Sequence, residues 1–239
     1  MNMQKLQNDL DFVEFLNRSK ADRMQKMKRE QEERAKNYRI LNKTAQKGQI
    51  LFAGSSLMEQ FPVAEIARNH GIEKIIYNRG IGGYTTDDFL AEIDTVLFDL
   101  APSKLFINIG TNDISKREGI PDWNAHLLSN YELILKQIKE RLPECKVYMM
   151  AYYPVNPTVV TEDYMKVILK TRTNEAIHKV NRQIATLAEK YGCQYIDANE
   201  GLYNEKGELK AEYTKEGLHM FANAYEVVFG HLVKYIEEI

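Results

Sequence analysis

Five short apolar runs, at residues 50–53, 74–78, 104–109, 146–152 and 194–197, constrain this chain most. Each ends in glycine, proline or small polar residues. Between them lie stretches with helical spacing: Phe89, Leu90, Ile93, Val96 and Leu97; then Leu127, Tyr131, Ile134, Ile138 and Leu142; then Ile177, Val180, Ile184, Leu187 and Ala188; and finally Val227, Val228, Leu232 and Ile236. Short, mostly apolar runs of this length read as strands, and strand alternating with helix predicts a parallel sheet covered on both sides. A chain of 239 residues, 44% of them hydrophobic, has material for one substantial core.

Composition removes several functional classes. A net charge of −2 points to no polyanionic partner, so nucleic-acid binding is not expected. The N-terminus, MNMQKLQNDLDFVEF, lacks the basic-then-apolar pattern of a signal peptide, and no apolar run is long enough to span a bilayer, so a cytoplasmic location is expected. Cys145 and Cys193 have no CxxC spacing and read as buried free thiols. No HExxH or carboxylate cluster suggests a metal, and no cofactor is expected.

Residues 1–44 form a charged segment set apart from a domain at 45–239. Leu6, Leu10, Val13, Met24, Met27, Ala35, Tyr38 and Leu41 trace a narrow apolar seam on one or two amphipathic helices. The favoured reading is a helix lying across its own domain with its charges in solvent. The alternative is a dimerising or partner-binding arm, which would make the protein a homo-oligomer.

Chemistry concentrates at the turns. In an open parallel sheet, ligands gather at the carboxyl ends of the strands. QILFAGSSLMEQ (49–60) is a buried strand running into a tight turn that opens a helix, which makes Ser56 a candidate nucleophile; an ordinary helix N-cap is the plainer reading. RGIGGY (79–84) lacks the third glycine of a dinucleotide fingerprint and the lysine of a P-loop. Thr85 to Asp88 has the form of a capping box. GTND (110–113) closes the third strand, and EGLH (216–219) precedes the last helix. Tyr152 and Tyr153, before Pro154, either line a pocket or pack in the core. No GxSxG elbow is present.

The four blocks GSSL, GIGG, GTND and EGLH, in this order, resemble the signature blocks of the SGNH (GDSL) hydrolases, a superfamily of esterases and acylhydrolases. The resemblance covers residue 49 to the C-terminus and implies a flavodoxin-like, three-layer α/β/α sandwich with a five-stranded parallel sheet. It also implies roles. Ser56 would attack an ester carbonyl, His219 would act as base and then acid, and the Ser56 amide, Gly83 amide and Asn112 side chain would form an oxyanion hole. The implied partner is a small-molecule ester, short-acyl or acetyl by preference, with lysophospholipids or a non-catalytic binding role as alternatives. Two positions depart from the family pattern: Ser55 stands where aspartate is usual, and Glu216 replaces the usual aspartate three residues before His219. A glutamate can still orient the imidazole if the loop adjusts; otherwise a Ser-His dyad remains. His70, His126, His178 and His231 match no block and are expected at the surface or in packing roles.

Overall fold

In the computed structural model, residues 3–238 are described, with side chains from residue 21 onward. The chain runs α1 (Met3–Asn42), β1 (Ile50–Gly54), α2 (Ser56–Glu59), α3 (Val63–Asn69), β2 (Ile76–Asn78), α4 (Thr86–Ala91), α5 (Ile93–Val96) and β3 (Lys104–Asn108). It continues with α6 (Trp123–Arg141), β4 (Lys146–Met150), α7 (Asp163–Leu169), α8 (Asn174–Tyr191), β5 (Gln194–Ile196) and α9 (Ala222–Glu237). The strands form one parallel sheet in the order β2-β1-β3-β4-β5. All five expected strands are present. Two of them, β1 and β3, are buried along their whole length; β1 is apolar up to its closing Gly54, whereas β3 buries Lys104 and Asn108 at its two ends.

Register does much of the packing. Phe52 lies opposite Phe106, and Phe106 opposite Tyr148. Three rings therefore stack across adjacent strands, with centroids 4.6 and 4.5 Å apart. Phe61 closes the stack edge-on at one end and Tyr235 of α9 tilts against it at the other. Helices α3 and α9 pack together as one outer layer, while α4 meets α6 and α6 meets α8 in the other. The result is a three-layer α/β/α sandwich.

Local signals explain most helix ends. Thr85 and Asp88 complete the capping box at α4, Asp122 caps α6, Thr173 caps α8, and Gly192 closes α8 in the left-handed conformation. The apolar run 89–97 is not one helix: the chain leaves helical geometry at Glu92 (ψ 20°) and again at Leu97. Tyr152 and Tyr153 are both buried, so packing is their role. Cys145 and Cys193 are free and half-buried.

The 40-residue α1 touches the domain along Gln31, Ala35, Tyr38 and Asn42, spaced four, three and four residues apart as one helical face must be. Of the expected seam, Ala35 and Tyr38 are buried, whereas Met24, Met27 and Leu41 are exposed. Leu6, Leu10 and Val13 lie outside the described side chains. Much of the contact is polar. The Tyr38 hydroxyl donates to the Gly80 carbonyl (2.9 Å), Asn42 donates to the Thr95 carbonyl (2.8 Å), and Arg79 donates to Asn42 (3.0 Å).

Candidate active site

Ser56 is the first residue of α2, one step after Ser55 at the N-cap position. The approach to it is tight. A Cβ on Gly54 would stand 2.0 Å from the Asn108 carbonyl oxygen and 2.7 Å from Met58 Cγ, so only glycine lets β1 turn this sharply into α2 beside β3. Ser55 caps no amide with its side chain. Nor does Ser56 act as a cap, because its hydroxyl is turned to the last loop of the chain, where His219 Nε2 lies 2.9 Å from Oγ.

His219 is presented by a small hairpin. Thr214 pairs with Met220, and the His219 carbonyl accepts from the Lys215 amide (2.9 Å) and the Thr214 hydroxyl (2.9 Å). Gly217 makes the bend at φ +90°, and its missing Cβ leaves room for the Asn156 carbonyl, which would otherwise be 2.3 Å away. The bend returns the Glu216 side chain toward the histidine. Glu216 Oε1 accepts from the His219 main-chain amide at 3.0 Å and lies 2.5 Å from ring Nδ1. The longer stem of glutamate thus fits this loop, and the imidazole has one nitrogen on a carboxylate and the other on a hydroxyl. Burial pushes the Glu216 carboxyl up, but the ring and amide hydrogen bonds from His219, with the charges of His219 and Lys215, outweigh it and hold the pKa below the ordinary glutamate value.

The GIGG and GTND turns stand beside Ser56 and are braced against each other. Asn112 Nδ2 donates to the Tyr84 carbonyl (3.0 Å), and its second N–H has no acceptor among the described residues. Asp113, fully buried, accepts from the Thr86 amide (3.0 Å) and hydroxyl (2.6 Å) and from Arg117 (3.0 Å). Burial raises the Asp113 pKa despite those bonds. Neither the Ser56 amide nor the Gly83 amide has an acceptor among the described residues. Gly83, Asn112, Ser56 and His219 are all partly exposed, so a ligand can reach them.

Sequence reasoning missed the support around these turns. His126 faces Asp87 (2.8 Å), Asn130 reaches both Asp87 (2.7 Å) and Thr86 (3.0 Å), and Arg117 joins Asp87 to Asp113. Burial raises the Asp87 pKa, but the bonds from Asn130, His126 and Arg117 prevail and lower it. The aspartate of GTND was the one visible signal, since a carboxylate placed in an otherwise neutral strand-end turn needs partners. The remaining histidines are peripheral: His70 pairs with Glu226, His231 meets the Glu200 carbonyl, and His178 is exposed beside Tyr203. Among the described residues, no helix is long and apolar enough to cross a membrane.

Sheet order, layers and the block positions define an α/β/α hydrolase of the SGNH type. More narrowly, the chain belongs to the GDSL-like lipase/acylhydrolase family, whose model matches residues 59–227, a span that holds Gly83, Asn112, Glu216 and His219 and begins just after Ser56. Among solved structures it is similar to a protein from Streptococcus pneumoniae described as a candidate platelet activating factor, at 32% identity over 91% of this chain and 99% of that one, with a TM-score of 0.78. It is also similar to a GDSL-like lipase from Bacteroides thetaiotaomicron (20% identity, 85% of this chain and 97% of that one, TM-score 0.69). A catalytic mutant of an acetylxylan esterase from Geobacillus stearothermophilus shares the fold (14% identity, 81% and 96%, TM-score 0.59). A search of curated proteins finds no match.

Proposed function

We propose that this member of the acylhydrolase family is a serine esterase that cleaves a short-acyl ester through an acyl-enzyme on Ser56. The observation that carries the reading is the continuous path from Ser56 Oγ through the His219 ring to Glu216, with links of 2.9 and 2.5 Å across 163 residues of sequence. A serine hydroxyl is a weak nucleophile until a base takes its proton, and imidazole is the side chain suited to do so near neutral pH. Ser56 Oγ attacks the ester carbonyl while its proton moves to His219 Nε2, leaving a tetrahedral oxyanion. The Ser56 and Gly83 amides and the second N–H of Asn112 receive that charge. Collapse expels the alkoxide, which takes the proton from His219, and leaves the acyl group on Ser56. Water, deprotonated by His219, repeats the sequence and frees the acid. Glu216, kept anionic by its hydrogen bonds, holds the ring so that Nε2 faces the hydroxyl and stabilises the imidazolium.

A short acyl group is favoured because Met27 and Gln31 of α1 stand over Gly83. Each comes within 2.9 Å of where a Cβ on that glycine would be, which walls off that side of the site. Hydrolysis of p-nitrophenyl acetate by the whole chain and by Ser56→Ala tests the reaction, and a fluorophosphonate probe tests the nucleophile. The wild type is expected to turn over and to be labelled at Ser56. Equal background rates for the two proteins would overturn the esterase reading. A p-nitrophenyl series of rising chain length is expected to favour acetate and butyrate over decanoate.

A further inference from the structure

We propose that Gln31, on the N-terminal helix, is a positioning residue that sets the direction and strength of the Gly83 amide as an oxyanion donor. The inference rests on the esterase reading and deepens it. Gln31 Nε2 donates to the Gly82 carbonyl at 2.8 Å. That carbonyl and the Gly83 N–H belong to one planar trans peptide, so they point in opposite directions. Fixing the oxygen toward α1 therefore fixes the hydrogen away from α1. Ser56 stands next to this turn, since a Cβ on Gly82 would lie 3.8 Å from Ser56 Cβ, and the Gly83 N–H meets no acceptor among the described residues. A hydrogen bond on the carbonyl also polarises the peptide and makes its N–H a better donor.

The turn needs such a hold. Three of its four residues, Gly80, Gly82 and Gly83, have no side chain to lock them. Both peptides flanking Gly82 are tethered from outside the turn. Gln31 takes the carbonyl on one side, and Glu59 accepts from the Gly82 amide at 2.5 Å on the other. Glu59 is itself paired with Arg34 of α1, also at 2.5 Å. Both tethers thus lead back to the same helix.

A mere packing role for Gln31 fits the surroundings less well. A cleft of about 420 Å³ lies beside this contact between α1 and the turn, lined by Met27, Gln31, Arg34, Glu59, Ile81 and Gly82. Tyr38 and Asn42 already dock the helix further along. Removing the Gln31 donor should leave the helix in place and loosen only the peptide it holds.

Gln31→Met, which keeps length and helix propensity but cannot donate, tests this in the full chain. With p-nitrophenyl acetate its kcat is expected to fall about tenfold, a fraction of the ~10²–10³ that losing a whole oxyanion donor costs, with KM within about twofold. The ¹⁵N resonance of the Gly83 amide should move, because it responds to the bond on the preceding carbonyl, while the melting temperature stays put. Gln31→Lys, which returns a donor on a similar stem, should regain most of the rate. A Gln31→Met protein with wild-type kcat and an unmoved Gly83 resonance, beside an inactive Ser56→Ala, would overturn this proposal and leave the esterase reading standing. A wild type no faster than Ser56→Ala would instead overturn both.

Discussion

The two ends of the sheet are built from the same strands on opposite rules. At the amino end of β3, Lys104 is buried, and its ammonium group donates to the carbonyls of Tyr235 (2.8 Å) and Ile236 (3.2 Å) and to that of Glu238. These are the carbonyls that the C-terminus of α9 leaves without helical partners, where a cation is also favoured by the helix dipole. Tyr148 donates to the Glu238 carboxylate nearby. At the carboxyl end, by contrast, the Ser56 and Gly83 amides are left without acceptors among the described residues, and Ser56, Asn112 and His219, from three loops, are half-exposed. One end spends its polar groups on closing the fold. The other leaves them open to solvent.

That contrast can be broken by substitution. At the carboxyl end, effects should fall on rate and spare stability. His219→Ala should lower kcat by on the order of 10⁴-fold or more, since the serine then has no base. Glu216→Gln should cost up to about 10⁴-fold by losing the charge that stabilises the imidazolium, with little change in KM. Asn112→Ala should cost about 10²-fold, as one of three donors is lost. Melting temperatures near that of the wild type would show these groups to be held by the fold rather than holding it; a collapse of stability in all three would erase the distinction between the two ends.

At the amino end the expectation reverses. Lys104→Met keeps the stem but leaves carbonyls at the end of α9 with no donor, at an expected cost of about 2 kcal/mol. For a domain of this size that is a fall in Tm of roughly 5 °C. Its kcat should stay within about twofold of the wild type, because the residue sits at the far end of β3 from Ser56. Urea midpoints and single-temperature kinetics on the same preparation decide the matter.

How much of each end was legible in sequence follows from the kind of interaction involved. Ser56, Gly83, Asn112, Glu216 and His219 stand out because strand ends, glycines and a carboxylate three residues before a histidine are local patterns. The five strands were legible for the same reason, as short mostly apolar runs. Lys104, inside KLFINI, reads only as an interruption, since its partners arrive 131 residues later. Gln31 carries no signal either: its role exists only once α1 lies over a turn more than 50 residues downstream. The break at Glu92 and the short helix α7 were invisible because seven or fewer residues give helical periodicity too little length to show.

The finest difference between the ends should appear on acidification. Glu216 has a folded-state pKa below its ordinary value, and an unfolded glutamate titrates near ~4.3. A depressed carboxylate contributes stability that is fully present above the unfolded value and is lost as pH falls through the folded one. The small stability deficit of Glu216→Gln should therefore be complete at pH 7 and shrink below about pH 4, where the wild type loses the same interaction. The deficit of Lys104→Met should change less across that range, because the amine's hydrogen bonds all go to carbonyls and the Glu238 carboxylate adds only its charge. Urea midpoints for the two variants and the wild type at pH 7 and at about pH 3.5 provide the check. If the Glu216→Gln deficit were instead constant with pH, the carboxylate would not be held by His219 in the way the 2.5 Å contact implies, and the loop around Gly217 would have to be ordered by its main-chain bonds alone.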